Sequence, residues 1–293
     1  MRYAGFYIFY CINWVMTLLP LKILYVFSDF LYILFFYFPG YRRKVVEENL
    51  HNSFPEKSEK ELITIEKRFY RHLADIFIET LKLTHLSNEE LKKRFYVTNP
   101  GLLDQLYQSG KDLVVVHSHY NNWEWLACLP LFTSYKIVVI YKPLRNKLFD
   151  NFVNRLRTMN NVAVVPTTSI VRSIMDNRNK NIRAVYGFLA DQTPALPYIQ
   201  YRTQFLNQDT PVHLGIEKIA AKYGMPVVFF NVQKVKRGFY TLTVELLFEK
   251  TKGLPEYLVT DTHVKRLEEL IRKNPEYWIW THKRWKYKKQ PDA

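Results

Sequence analysis

At 293 residues, with 48% hydrophobic and 16% aromatic content, the chain can bury a substantial core, which excludes disorder over most of its length. Forty-two Lys and Arg against 27 Asp and Glu leave a formal net charge of +15, and this favours an anionic partner: phospholipid, phosphorylated glycolipid or nucleic acid. Cys11 and Cys128 lie in apolar surroundings without metal-ligand spacing, so neither a disulfide framework nor a zinc finger is indicated.

From the N-terminus, Gly5 to Gly40 is almost continuously apolar and aromatic, interrupted mainly by Asn13, Pro20, Lys22 and Asp29. Its halves, Phe6 to Leu19 and Ile23 to Phe38, are each short for a span of about 20 residues, so a tilted helix, a re-entrant pair and an interfacial anchor all remain open. Residues 1–40 are read as a membrane-anchoring helical segment and 41–293 as the domain it carries; a buried hairpin in a soluble protein is the competing reading. No Ala-x-Ala cleavage site follows, and Arg42-Arg43-Lys44 outweighs Arg2, which places the domain on the cytoplasmic side. Such an anchor disfavours nucleic acid, for which no binding motif is present.

Ser58-Glu-Lys-Glu61 forms a capping box, and Leu62, Ile65, Phe69, Leu73, Ile76 and Thr80 follow at helical spacing to about Leu83. Ser87-Asn-Glu-Glu90 opens a shorter helix. Beyond it, β-branched runs at Leu113 to Val116, Ile137 to Tyr141, Val162 to Val165, Ile182 to Leu189 and Val227 to Val232 alternate with helical patterns at Lys147 to Arg157, Ser169 to Asn177 and His213 to Tyr223. The pattern predicts an α/β fold with a central mixed, partly parallel sheet flanked by helices. Val235-Lys-Arg-Gly238 reads as a turn into an alternating Tyr240 to Leu246, giving at least one antiparallel pair.

The densest chemistry lies after the first of these runs, in His117-Ser-His-Tyr-Asn-Asn-Trp-Glu124. On a continuous helix His119 and Glu124 would sit about 140° apart, so they cooperate only if a strand ends, the chain turns and a helix starts near Asn121 or Asn122. In that geometry His119 removes a proton from a hydroxyl while Glu124 fixes the tautomer and stabilises the imidazolium. The bland alternative makes Asn121 a helix cap and Glu124 the far side of a capping box. His117 alternates with His119 along the strand, which argues against a shared metal, and Ser118 lacks a nucleophile-elbow context.

Five separated segments resemble the late acyltransferases of lipid A biosynthesis, within the lysophospholipid acyltransferase group, in a version like that of Bacteroidetes-type bacteria. They are His119-Tyr-Asn-Asn-Trp-Glu124, Tyr141-Lys-Pro-Leu144 leading to Arg155-Leu-Arg157, Ala190-Asp-Gln-Thr-Pro194, Phe205-Leu-Asn-Gln-Asp-Thr-Pro211 and Trp278-Ile-Trp-Thr-His-Lys-Arg-Trp285. The Phe-Pro-Glu-Gly-Thr signature of glycerol-phosphate acyltransferases is missing, which turns the reading from phosphatidic acid synthesis towards lipid A. The resemblance implies catalytic roles for His119 and Glu124 and an oxyanion- or substrate-binding arginine, either Arg155 or Arg157. It also places Asp191 and Gln192, at the end of a predicted strand, near the site.

Thr210, with His213, either binds phosphate at a helix N-terminus or caps the helix. The C-terminal Trp278, Trp280, His282, Lys283, Arg284 and Trp285 suit either a bilayer interface or packing against the domain. The implied reaction moves a fatty acyl chain from acyl carrier protein, or acyl-CoA, to a hydroxyl of an anionic lipid A precursor. It takes place at the inner membrane, without metal or cofactor. Another membrane lipid as acceptor, and a non-catalytic anionic-lipid-binding protein, are the competing readings.

Overall fold

Parallel strands covered on both faces are apolar throughout rather than alternating, and the run Leu113–His117 is buried at every position. It lies inside a seven-stranded sheet. The computed structural model describes residues 2–287 apart from 39, 142, 144 and 145, so Lys142 and Leu144 of the Tyr141–Leu144 segment lie outside the described residues.

In chain order the elements are α1 (Arg2–Met16), α2 (Leu21–Phe36), α3 (Arg43–Ser53), α4 (Glu59–Lys82), α5 (Asn88–Arg94), β1 (Phe95–Val97), α6 (Pro100–Gln108), β2 (Leu113–His117), β3 (Lys136–Tyr141), α7 (Lys147–Arg157), β4 (Ala163–Pro166), α8 (Ile170–Asn179), β5 (Ala184–Leu189), β6 (Tyr201–Phe205), β7 (Gln208–Val212), α9 (Gly215–Tyr223), β8 (Val227–Lys236), β9 (Phe239–Phe248) and α10 (Leu258–Lys273). A 3₁₀ segment, Trp123–Leu131, follows β2. The sheet order is β1-β9-β8-β2-β5-β3-β4, with β6 and β7 forming a separate hairpin.

All neighbours in the large sheet pair in parallel except β8 with β9, which are antiparallel as the Val235–Gly238 turn predicts. Alternate residues of β2 feed two cores. Val114 and Val116 face a layer containing α4, α8, α9 and α10, while Leu113 and Val115 face one containing α5, α6 and the 123–131 segment. The capping box that starts α4 is present: Ser58 N and Oγ both donate to Glu61 Oε2, at 2.9 and 2.6 Å.

Several boundaries differ from the sequence reading for local reasons. The strand expected from Ile182 begins at Ala184, because the Ile182 amide is spent on Asn177 O at 2.9 Å, closing α8. The strand expected from Val162 begins at Ala163, after left-handed Asn160 and Asn161. The β6–β7 hairpin was not expected, and it turns through left-handed Leu206 and Asn207.

Among the described residues no helix is long and apolar enough to cross a membrane. At about 1.5 Å per residue, the 16 residues of α2 reach roughly 24 Å against a hydrocarbon core of about 30 Å. One face of α2, carrying Leu21, Leu24, Ser28 and Phe36, is buried. Its other face leaves Val26 68% and Phe30 58% exposed, and α1 exposes Ile8, Ile12 and Val15 in the same way.

Candidate active site

The register of two neighbouring parallel strands brings the key groups together. His117 at the end of β2 pairs with Leu189 at the end of β5, and the Ala190 amide donates to His117 O at 3.1 Å. Continuing each chain by two residues delivers His119 and Asp191 side by side at the C-terminal edge of the sheet, where α/β folds gather functional groups.

His119 Nδ1 lies 2.8 Å from Asp191 Oδ1, and the His119 amide donates to Asp191 Oδ2 at 2.9 Å. Trp278 Nε1 donates to the same Oδ2 at 2.9 Å. The Asp191 side chain is fully buried. Burial alone would raise its pKa, but the imidazole, its hydrogen bonds and the Trp278 indole outweigh that and hold the carboxyl below its usual range. An ionised Asp191 accepts only, so Nδ1 carries a proton, and in the neutral imidazole the lone pair is on Nε2. The amide of Gln192 approaches Nε2 at 3.3 Å, on the side where a reacting hydroxyl would dock.

Here the structure corrects the expected pairing. Glu124 was expected to orient the imidazole; Asp191 occupies that place, and Glu124 is engaged by Arg157 instead. Arg157 Nε and Nη2 donate to the two Glu124 oxygens at 3.0 and 2.6 Å, a forked pair. Burial pushes the Glu124 carboxyl up, but the Arg157 guanidinium, with lesser contributions from His119 and Trp123, more than offsets this and leaves its pKa lowered. Trp123 joins the two side-chain pairs: its ring meets the His119 ring edge-on at 4.9 Å, and its indole donates to Glu124 Oε1 at 3.1 Å.

The turn required between His119 and Glu124 is made at left-handed Asn121, whose amide donates to Tyr277 O at 2.9 Å and whose side chain donates to Val232 O at 2.8 Å. The capping alternative is not realised. Asn122 precedes the 3₁₀ segment without a side-chain cap, and its amide reaches Glu79 at 2.7 Å.

Of the two candidate arginines, Arg157 is at the site; Arg155 is exposed, with Tyr10 Oη 3.4 Å from its Nη1. Thr210 neither caps nor opens a helix. It lies within β7, fully buried, donating to Gln208 O at 2.8 Å and accepting from Trp285 Nε1 at 2.7 Å, while α9 starts at Gly215 without a side-chain cap. His117 is a strand residue as expected, its pKa pushed down to about 3 by burial. For the C-terminal cluster, packing is what the structure displays: Trp278, Trp280 and Trp285 are buried among core side chains, and Arg284 is buried with them. The His282 ring accepts from the Thr193 amide at 3.1 Å, tying this cluster to the segment after Asp191.

The contribution of Trp278 to Asp191 is invisible in sequence, because 87 residues separate them, whereas extending β2 and β5 in register by two residues sets His119 beside Asp191. Among the described residues, no group of three or more His, Cys, Asp or Glu could hold a metal ion.

An imidazole base held by a buried carboxylate, beside a second carboxylate held by arginine, is the equipment of an enzyme that activates a hydroxyl for group transfer. Residues 1–287 match the bacterial lipid A biosynthesis acyltransferases, and the chain belongs to that family: it is an acyltransferase of lipid substrates. No curated protein matches it. Among solved structures it is similar to the 1-acyl-sn-glycerophosphate acyltransferase PlsC of Thermotoga maritima, at 14% identity over 86% of this chain and 95% of that one. The TM-score of 0.36 is too low for that likeness to carry an argument.

Proposed function

We propose that the protein transfers a fatty acyl chain from an acyl-carrier-protein thioester to a hydroxyl of a lipid A precursor at the cytoplasmic face of the inner membrane. The observation that carries the mechanism is the His119–Asp191 contact at 2.8 Å, which fixes a proton on Nδ1 and assigns the role of base to Nε2, where a substrate hydroxyl would take the place of the Gln192 amide. His119 Nε2 takes the hydroxyl proton as the alcohol oxygen bonds to the thioester carbon. The tetrahedral oxyanion then collapses, the carbon–sulfur bond breaks, and the departing thiolate takes the proton back from His119. No acyl-enzyme is needed.

Asp191 stabilises the imidazolium formed in the first step. Arg157 retains N–H groups beyond the two given to Glu124, and these serve the oxyanion or an acceptor phosphate. Glu124 thus acts on the base indirectly, by aiming Arg157 and Trp123. The exposed apolar faces of α1 and α2, on a chain of net charge +15, support attachment in the plane of an anionic bilayer surface.

The test is the lipid A mass spectrum of a deletion strain complemented with wild type or His119→Ala. The expected result is lipid A lacking one acyl chain, restored by wild type and not by the variant. A change confined to phospholipids would overturn the choice of acceptor.

A further inference from the structure

Behind the active-site loop lies a buried carboxylate that the mechanism above does not use. Glu79, on α4, is fully buried and receives three hydrogen bonds from three separate parts of the chain. Tyr25 Oη, on α2, donates to Oε1 at 2.8 Å; Tyr240 Oη, on β9, and Asn122 Nδ2, in the active-site loop, donate to Oε2 at 2.8 and 2.7 Å. Asn122 is also fully buried and stands two residues before Glu124. Tyr240 in turn packs its ring edge-on against Trp125 at 5.6 Å, one residue after Glu124.

Tyr25 is held as firmly on its outer side. Arg237 lies 4.2 Å over its ring and donates to Asp75 and Asp29, at 2.8 and 2.6 Å. Ser28 adds a bond to Asp75 at 2.7 Å. Gly238, at φ +73, leaves space for the phenol, since a Cβ there would overlap Tyr25 Oη.

We propose that Glu79 is a positioning residue for the acyl transfer: through Asn122 it sets the loop that carries His119 and Glu124, and through Tyr25 it makes that setting depend on the seating of α2. This rests on the function proposed above. A carboxylate suits the task because its two oxygens accept all three donors at once, whereas an amide or an apolar side chain cannot. The link gives α2 a line to the catalytic loop. Displacing α2 withdraws Tyr25, leaves Glu79 short of a donor and loosens Asn122.

The experiment compares Glu79→Gln, Tyr25→Phe and Asn122→Ser by steady-state acyl transfer and by hydrogen–deuterium exchange of the amides in 119–124. Glu79→Gln is expected to lower kcat about tenfold with KM within about twofold, because the reacting groups lose alignment rather than binding surface. Tyr25→Phe is expected to act in the same direction by a smaller factor, and both to speed exchange in 119–124. The effects of Tyr25→Phe and Asn122→Ser on kcat should be non-additive with Glu79 present and additive in Glu79→Gln.

Wild-type exchange and kcat in both Glu79→Gln and Tyr25→Phe would overturn the proposal. If Glu79→Gln does not fold, Tyr25→Phe decides alone: unchanged exchange in 119–124 overturns it. Absence of acyl transfer by the wild type would defeat the proposed function, and the exchange data would still decide the role of Glu79.

Discussion

Asp191→Asn separates the two carboxylates of the site, and the outcome follows from counting donors. In the native protein Oδ2 faces two N–H groups, the His119 amide and the Trp278 indole, while Oδ1 faces His119 Nδ1 alone. An asparagine oxygen must stay at the Oδ2 position, because an NH₂ there would meet two donors. Its NH₂ then faces Nδ1 and forces Nδ1 to accept. The proton moves to Nε2, the position that must take the substrate proton, and the base is lost although every heavy atom keeps its place. Where a His–Asp pair is reversed in this way, kcat falls by about 10⁴, and a loss of about 10³ to 10⁴, or roughly 4 to 5.5 kcal/mol, is expected here. Transfer of a labelled acyl chain measures kcat, and ¹⁵N-imidazole NMR reads the tautomer. Glu124→Gln should leave the tautomer unchanged. A tautomer reversed by Glu124→Gln and not by Asp191→Asn, or a kcat within tenfold of wild type in Asp191→Asn, would rule out Asp191 as the partner that orients the imidazole.

Further predictions concern charge, pH and α2. Arg157→Lys loses the fork on Glu124 and should lower kcat about 10²-fold or more, whereas Arg155→Ala should stay within about threefold; equal losses would dismiss the assignment of Arg157. His263 is buried and its pKa is pushed down to about 4 by burial. The unfolded chain therefore binds a proton below its ordinary value of about 6.5 that the native protein refuses, so the stability this group allows is complete above that value and is lost as pH falls towards 4. Urea unfolding between pH 7 and 5 should show a pH slope shallower in His263→Phe by up to about 1.4 kcal/mol per pH unit, and unchanged slopes would count against it. Val26→Glu with Phe30→Glu, both on the exposed face of α2, should reduce binding to anionic vesicles by about tenfold or more in flotation. Undiminished binding would remove α2 from the bilayer contact.

The parts of the fold legible in the sequence are those whose signal is local. Leu113–Val116 is a continuous apolar run because both faces of β2 are covered, and α4 carries its own start signal in Ser58 and Glu61. The β6–β7 hairpin was illegible, since Gln208, Asp209 and Pro211 break the alternation that marks a strand and their pairing with Tyr201–Phe205 supplies what propensity does not. The site divides the same way. His119 and Glu124 stand out because they share one short segment, but which carboxylate meets the imidazole is decided by the register of β2 on β5, 72 residues apart. The C-terminal tryptophans were readable as aromatic and basic, a composition that bilayer interfaces and buried clusters share, and only packing distinguishes them.

The site is closed by late-coming chain. Asn121 is fastened to Tyr277 O, Asp191 to the Trp278 indole, and Thr193 to His282, so residues 277–282 complete a centre whose own groups lie between 119 and 192. During synthesis residues 119–192 are made well before residues 277–282. Until residue 278 has left the ribosome, Asp191 lacks one of its donors and the loop at Asn121 lacks its backbone partner. On the function proposed above, a nascent chain, or one clipped before residue 277, lacks these partners and is expected to be inactive.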